Sequence, residues 1–122
     1  MRIGFMQGRL SPIERNRIQS FPFGSWENEI KIASKNNFNI IEWTVDSFLI
    51  DKNPIFNQSE IEKIRKLIAF HNVNIDSVTC DFFMENPFFI YANNKINSIK
   101  YLIKLLKSSV DLNIKYIILP IV

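Results

Sequence analysis

The fold of this chain is decided by one stretch, Asn37-Phe38-Asn39-Ile40-Ile41-Glu42-Trp43-Thr44-Val45-Asp46, because its pattern occurs three times. Each time, a run with helical spacing of apolar residues reaches an asparagine, an apolar residue follows, and a β-rich run begins. The other two copies start at Asn72 and Asn113, at intervals of 35 and 41 residues. Asparagine tolerates the left-handed conformation that ends many helices, and the following apolar residue packs on the last turn. Three copies of helix, stop and strand predict an α/β protein.

Apolar periodicity predicts an alternation of strands and helices along the whole chain. The predicted strands are residues 2–6, 39–45, 74–80 and 116–119. Ser25 suits the N-cap of the first helix, with Glu27 and Glu29 in its first turn, and Ser59 with Glu62 predicts a capping box on the second. The third helix carries an apolar stripe that we expect to pack deeply on the sheet: Ile96, Ile99, Ile103, Leu106 and Val110.

Strands that alternate with helices pair in parallel through right-handed crossovers, either in a doubly wound sheet or in a (β/α)8 barrel. A doubly wound sheet needs strands that are apolar on both faces. The second strand instead places Glu42, Thr44 and Asp46 on one face, which favours a barrel interior near its mouth. Four strands cannot close a barrel. We therefore expect residues 1–122 to be the N-terminal half of a TIM barrel, with four strands and three helices.

Composition restricts the class of protein. A chain of 122 residues with 47% hydrophobic and 22% charged residues is one core-forming domain. The single cysteine, Cys80, excludes an internal disulfide and fits a reducing compartment. The net charge of +3 is scattered and not clustered with aromatic residues, which argues against a nucleic-acid partner. No apolar run approaches the length of a signal peptide core or a membrane span. These features predict a cytoplasmic protein without a nucleic-acid or membrane partner.

The candidate site follows from barrel geometry, in which working residues lie at the carboxyl ends of strands. The predicted strands can be aligned on Ile3, Ile40, Ile75 and Tyr116. The residues six positions further on are Arg9, Asp46 and Asp81, and two positions before them lie Gln7, Thr44 and Thr79. Such a mouth suits a polyhydroxylated or phosphorylated small molecule, with Arg9 able to bind an anion bidentately. Equally, Arg9 suits a structural bridge, and Asp46 and Asp81 are ordinary strand-end residues.

Other residues carry less specific signals. Glu42 is a mid-strand carboxylate between Ile41 and Trp43, so it is either paired with an inward cation or part of an active site. His71, the only histidine, suits a helix C-terminus, and no metal-ligand spacing is present. We expect Cys80 to be buried. The aromatic loop after the third strand, with Phe82, Phe83, Phe88, Phe89 and Tyr91, is expected to pack on itself or to wall a pocket.

Four short stretches together resemble one known family. They are Met6-Gln7-Gly8-Arg9-Leu10-Ser11-Pro12; Ile18-Gln19-Ser20-Phe21-Pro22; Ile41-Glu42-Trp43 with Asp46; and Ser77-Val78 through Asp81-Phe82-Phe83-Met84. They resemble bacterial sugar phosphate isomerase/epimerase-like proteins of the xylose isomerase-like TIM-barrel superfamily. The resemblance spans Met1 to Val122 and covers the first half of that family's barrel.

This resemblance implies an enzyme of carbohydrate metabolism that isomerises or epimerises a sugar or sugar phosphate by proton transfer next to a carbonyl, assisted by a divalent metal (Mn, Mg, Zn or Co). It implies that Gln7 and Arg9 line the substrate site, that Glu42 points into the barrel beneath it, and that Asp81 lies at its rim. The family's metal ligands come from later strands. We therefore expect no metal bound to this chain alone and no activity from it.

Alternatives of other classes stay open. One is a non-catalytic half-barrel that serves as a binding or oligomerisation module, and a homo-oligomer is compatible with either function. A doubly wound domain with another activity is a third. The superfamily also includes multi-metal DNA-repair endonucleases, which the modest charge disfavours.

Overall fold

The computed structural model describes residues 1–90 and 92–121, so Tyr91 of the aromatic loop and Val122 lie outside the described residues. The strands are β1 (Gly4–Met6), β2 (Ile40–Val45), β3 (Asn74–Cys80) and β4 (Tyr116–Ile118). The helices are α1 (Trp26–Lys35), α2 (Gln58–His71), the short α3 (Phe82–Glu85) and α4 (Ala92–Asp111), with 3-10 turns at Ile50–Lys52 and Pro54–Phe56. The predicted alternation of strands and helices is confirmed, although β1 and β4 are shorter than expected.

The three asparagines end their helices as predicted. Asn37, Asn72 and Asn113 have φ values of 61°, 52° and 56°, in the left-handed region. After Asn37, the N–H of Phe38 donates to the carbonyl of Ala33 at 2.9 Å, which closes the helix with a six-to-one bond. The equivalent bonds after Asn72 and Asn113 measure 2.9 and 2.8 Å. One local device therefore directs the chain from each of these helices into the next strand.

The four strands form one sheet in the order β1-β2-β3-β4, with every pair parallel. Each strand pairs with its predecessor, and the described strands contain no reversal of order such as a doubly wound sheet has. Between β2 and β3 the register shifts, so that Ile41 pairs with Ile75 but Glu42 pairs with Ser77. The extra residue is Asp76. The bulge shifts the alternation along β3 by one residue, so that Ile75, Val78 and Cys80 are all buried.

The strand alignment expected from the sequence is right for one pair and wrong for two. Thr44 lies opposite Thr79, as expected. Gly4, however, pairs with Ile40, so the alignment on Ile3 is wrong by one residue. Tyr116 pairs with Ser77 and not with Ile75. The alignment on Ile3 is a one-residue slip, which puts side chains on the wrong face, and the bulge at Asp76 changes the face of the residues that follow it.

The sheet has one apolar and one polar face. The apolar face packs under the helices, and its buried residues include Ile41, Trp43, Val45, Val78 and Cys80. Trp43 is fully buried, and its ring meets that of Trp26 of α1 edge to face. Its indole N–H donates to the side-chain oxygen of Asn53 at 3.0 Å. The polar face carries Glu42, Thr44, Ser77 and Thr79. The expected alternation along β2 is therefore confirmed.

The start of α2 differs from the prediction. The helix begins at Gln58, and its N-cap is Asn57, whose side-chain oxygen accepts from the N–H of Ser59 at 3.1 Å. Ser59 therefore lies inside the first turn and cannot form the capping box with Glu62. Ser25 is the N-cap of α1 as predicted, but its side chain makes no capping hydrogen bond.

The burial predicted for α4 is wrong. Ile96 and Val110 expose 79% and 81% of their surface, and Ile103 and Leu106 are also exposed. The opposite face of α4 is buried. Its buried residues are Ser98, Leu105, Ser108 and Ser109, and Leu112, directly after the helix, is buried as well. Small side chains let α4 approach closely, and the Ser108 hydroxyl donates to the carbonyl of Ile55 at 2.6 Å. Apolar periodicity identified an apolar face of α4, but a different face of this helix packs on the rest of the protein.

Candidate functional site

Parallel strands end at the same edge of the sheet, and here this edge is covered by the loop between β1 and α1, residues 7–25 (the β1–α1 loop). The loop reaches the residues that directly follow β2 and β3. Arg15 bonds to Asp46 after β2, and Gln19 bonds to Asp81 after β3. The carboxyl edge of the sheet therefore gathers side chains from three successive segments.

The loop starts in a turn that depends on Gly8. Its φ of 92° is strained for any other residue, and a Cβ here would lie 2.7 Å from the carbonyl oxygen of Ser20. The N–H groups of Gly8 and Leu10 donate to Glu29 at 2.8 and 2.9 Å. Glu29 is only 1% exposed. The sequence suggested only a helix-dipole role for Glu29, but the structure shows that it fixes the start of the loop.

Burial governs the acidity of Glu29. Desolvation raises the pKa of its carboxyl above the usual value, while the N–H donors of Gly8 and Leu10 oppose that rise. All these donors belong to the β1–α1 loop. The Glu29 carboxylate therefore anchors this loop and does not face the polar side of the sheet.

Asp46 lies under the loop and is 3% exposed. One of its oxygens accepts from the N–H of Phe21 at 3.0 Å and from Arg15 at 3.2 Å, and the other accepts from the N–H of Phe48 at 2.9 Å. The Arg15 guanidinium also lies 3.7 Å from the centre of the Phe48 ring. The sequence proposed Asp46 as a substrate-binding residue; in the structure its carboxylate is occupied by the loop.

Asp81 has fewer partners. It accepts a hydrogen bond from the Gln19 side chain at 2.6 Å. Desolvation raises the pKa of Asp81, the Gln19 bond lowers it, and the charges of Asp46, Glu85 and Glu42 raise it further. The negative charges of this edge therefore oppose ionisation of Asp81.

Glu42 lies on the polar face in the middle of β2. Its carboxylate accepts from the hydroxyl of Ser77 at 2.8 Å, and its side chain is half-buried. It borders a cavity of about 290 Å³ that is also lined by Met6 and Ile40. No arginine, lysine or histidine of the described residues lies within ion-pair distance of Glu42. Of the two roles expected for Glu42, pairing with an inward cation is therefore not seen in the described part of the chain.

Gln7 and Thr79 contribute two buried polar groups without partners in the described structure. Gln7 is fully buried, and its side-chain oxygen accepts from the N–H of Thr44 at 3.1 Å. Its amide nitrogen and the hydroxyl of Thr79 have no hydrogen-bond partner among the described atoms. Thr44 pairs with Thr79 in the sheet, and Gln7, which directly follows β1, is linked to them through the N–H of Thr44. Because buried polar groups are normally hydrogen-bonded, the Gln7 amide and the Thr79 hydroxyl are candidates for contact with a ligand.

Arg9 lies at the exposed start of the loop, where its N–H donates to the carbonyl of Met6. Its guanidinium pairs with no carboxylate in the ranges 1–90 and 92–121. Arg15 is instead the cation at Asp46. Only the tertiary structure could show that Arg15 meets the carboxylate of Asp46, 31 residues further along the chain.

Cys80 is buried as expected. Desolvation, together with the neighbouring Asp81 charge, raises the pKa of its thiol to about 12. A thiol with this pKa stays protonated at neutral pH and is a poor nucleophile.

The described residues do not fit the divalent metal that the resemblance implies. Within residues 1–90 and 92–121, no group of three or more His, Cys, Asp or Glu side chains is placed to hold a metal ion. The carboxylate of Asp46 is already surrounded by loop donors. No chemical step is therefore assigned to a metal here.

A cavity of about 510 Å³ lies at the other, amino end of the sheet. Its cations are already engaged: Arg2 and Lys115 contact Asp76 at 3.0 and 3.5 Å, and Arg65 donates to the carbonyl of Asp111 at 2.8 Å. Because α2 and α4 both end beside this cavity, these cations also face the negative ends of two helix dipoles. Their arrangement is explained by structure alone.

Comparison with protein-family models and with curated proteins gives no match to this chain. The structure itself defines an α/β protein with a four-stranded parallel sheet and helices between the strands. No helix of the described ranges combines the length and apolar composition needed to cross a bilayer.

Proposed function

We propose that the polar face at the carboxyl ends of β1, β2 and β3 binds a sugar or sugar phosphate, as part of a TIM-barrel isomerase or epimerase. The consecutive parallel strand order and the polar face of β2 are compatible with the first half of such a barrel. The resemblance of four short stretches to the sugar phosphate isomerase/epimerase-like family supports the same reading.

The observation that carries this proposal is that two buried polar groups, the amide nitrogen of Gln7 and the hydroxyl of Thr79, have no partner among the described atoms. An amide N–H donates, and a threonine hydroxyl both donates and accepts. Sugar hydroxyl and carbonyl oxygens can meet both requirements. A ligand there would satisfy groups whose burial without a partner costs about 1–3 kcal/mol each.

Glu42 is the residue that we assign to proton transfer. Ser77 orients its carboxylate, which opens onto the cavity on the same face. As a general base, Glu42 would take a proton from the carbon next to a substrate carbonyl. Return of the proton to the former carbonyl carbon would isomerise the sugar, provided that the hydroxyl proton of the neighbouring carbon also passes to the former carbonyl oxygen. Epimerisation would instead need a second group, on the opposite face of the substrate, to protonate the same carbon.

Three further residues complete the proposed site in binding roles, and a fourth, Asp46, holds the loop beside them. Gln7 would donate to a substrate oxygen, Asp81 would accept from a substrate hydroxyl, and Arg9 would bind a phosphate if one is present. Asp46 would act at the same edge through the loop that it holds. We expect the 122-residue chain to bind ligand without turnover, because the opposite wall of the barrel and its metal would also be needed.

The substitution Thr79→Val tests the proposal, because it removes the unpartnered hydroxyl and preserves the shape of the side chain. We expect it to leave the free energy of unfolding unchanged or raised and to weaken the binding of aldose and ketose phosphates by about tenfold. Titration calorimetry measures the affinity. Ser109→Ala is the matched control, since Ser109 on α4 also has a buried hydroxyl without a partner in the described structure. Equal affinities of Thr79→Val and the wild type would contradict the proposal.

A second candidate function is a non-catalytic binding or oligomerisation module. Two observations favour it: β1 and β4 are edge strands of the described sheet, and large apolar side chains of α4 are exposed. Sedimentation over a range of protein concentrations separates the two candidates. A dimer that forms with rising concentration, without sugar binding, would favour the module.

A further inference from the structure

One face of α4 carries an apolar stripe of which four members are exposed and one, Ile99, is half-buried in the described structure. Its members, called the α4 stripe below, are Ile96, Ile99, Ile103, Leu106 and Val110. Ile103 and Leu106 expose 48% and 49% of their surface, and Ile96 and Val110 expose still more. A continuous exposed apolar surface commonly marks an interaction site. The stripe lies away from the polar face of the sheet and plays no part in the proposed sugar site.

The spacing of the stripe indicates what kind of surface it fits. Its residues follow one another at intervals of three, four, three and four positions, which is the spacing of a coiled-coil seam. A seam of this kind is narrow and accommodates the side chains of one opposing helix. A helix that lies in a membrane surface usually has a broader apolar face.

The stripe and the contact surface of α4 lie on different sides of the helix. Tyr101 donates to Asp51 at 2.7 Å and Ser108 donates to the carbonyl of Ile55, so this side packs on the segment after β2. At about 100° per residue, the stripe is turned well away from that contact.

The charges beside the stripe select among protein partners. Lys100, Lys104 and Lys107 border it on one side and Lys95 on the other, while Asp111 is the only acidic residue of α4. None of the four ammonium groups lies within 4.0 Å of a carboxylate in residues 1–90 and 92–121. A second copy of α4 would bring lysines against lysines. Carboxylates on the opposing helix would be attracted instead.

We propose that the α4 stripe is a docking surface for an amphipathic helix of a partner chain, with apolar residues at coiled-coil spacing and aspartate or glutamate beside them. The apolar seams would interdigitate, and the acidic border would meet Lys100 and Lys107. The apolar stripe provides the contact area, and the lysines make the surface specific for an acidic helix.

Two probe peptides of about 21 residues, or three heptads, test this proposal. Both carry leucine and isoleucine at the seam; one has glutamate at the bordering positions and the other has lysine. Fluorescence anisotropy with the 122-residue chain should show that the glutamate peptide binds at least about tenfold more tightly than the lysine peptide. The double variant K100E/K107E should reverse this preference, which a general loss of folding could not produce.

The seam itself is tested by Leu106→Gln, which keeps a helix-forming residue at an exposed position. We expect it to weaken binding of the glutamate peptide by about tenfold. Phe70→Gln is the control, because Phe70 is an apolar residue on α2 with 84% of its surface exposed. It should bind like the wild type, and circular dichroism should show the same helix content for both variants.

Three results would overturn the proposal. The first is equal affinity for the two peptides, including no binding of either. The second is binding to phosphatidylserine vesicles, lost in Leu106→Gln, without binding of the glutamate peptide, which would assign the stripe to a membrane surface. The third is self-association in sedimentation that Leu106→Gln abolishes, which would assign the stripe to a second copy.

Discussion

Asp46 and Asp81 end neighbouring strands at equivalent positions, yet their surroundings differ. Both follow a paired threonine, Thr44 or Thr79, by two residues. Asp46 is 3% exposed and accepts from Arg15 and from two backbone N–H groups. Asp81 accepts from one side chain, that of Gln19, and its pKa is raised.

The difference shows that equivalent positions in a sheet do not imply equivalent roles. The donors around Asp46 all come from loops, so its carboxylate stabilises the fold of the carboxyl edge. Asp81 is only half-buried and retains capacity to accept further hydrogen bonds. Of the two carboxylates, Asp81 is the one available to a ligand.

The strongest test of this difference is Asp46→Ala. The substitution would leave the N–H groups of Phe21 and Phe48 without an acceptor and Arg15 without its carboxylate. We expect a loss of about 3 kcal/mol in the free energy of unfolding, because buried donors would lose their partners. Urea unfolding measures the loss. A change close to zero would remove Asp46 from its structural role.

A smaller loss is expected when the loop is disturbed at its other anchor, the turn at Gly8. In Gly8→Ala the new Cβ would meet the backbone oxygen of Ser20, and the residue would hold a φ of 92°. We expect this to cost about 2 kcal/mol in unfolding free energy. Gly24→Ala is the matched control: its Cβ would lie 3.6 Å from the nearest atom, a Glu14 side-chain oxygen, an ordinary contact. Equal stabilities of the two variants would show that the Gly8 turn does not hold the loop.

The smallest effect, and one of opposite sign, is expected for Asp81→Asn. Because folding raises the pKa of Asp81, its contribution to stability is fully present below the usual value of 3.8 and is lost as pH rises through the folded-state pKa. Asparagine avoids that loss and can still accept from Gln19. We expect the variant to be more stable than the wild type by roughly 0.5 kcal/mol at neutral pH, with the gain vanishing in acid. Unfolding curves over a pH series measure it, and a neutral-pH loss as large as that of Asp46→Ala would make the two aspartates alike.

Much of the fold could be predicted because its signals are local. Asn37, Asn72 and Asn113 ended three helices through bonds within a few residues of chain. The alternation of Glu42 with Ile41 and Trp43 placed the two faces of β2 correctly. Each of these features depends on backbone preference or on a period of two residues, both of which a single sequence contains.

The errors concern contacts between distant segments. The bulge at Asp76 and the pairing of Tyr116 with Ser77 depend on how strands meet, which hydrophobic pattern does not determine. The α4 stripe was expected to be buried, but most of it is exposed. Apolar periodicity reveals that a helix has an apolar face and does not reveal what covers that face. In the candidate site, the roles of Arg15 and Glu29 were missed, because each acts on residues far away in the chain.

The most direct test of the proposed sugar site is the side-chain amide signal of Gln7 in a nitrogen-proton correlation spectrum, recorded while sugar phosphates are added to the 122-residue chain. The proposal predicts a saturable shift of this signal, because the unpartnered amide of Gln7 would donate to the ligand, and a weaker response in Thr79→Val. An unchanged Gln7 signal at saturating sugar phosphate would contradict the assignment of the polar face as a ligand site.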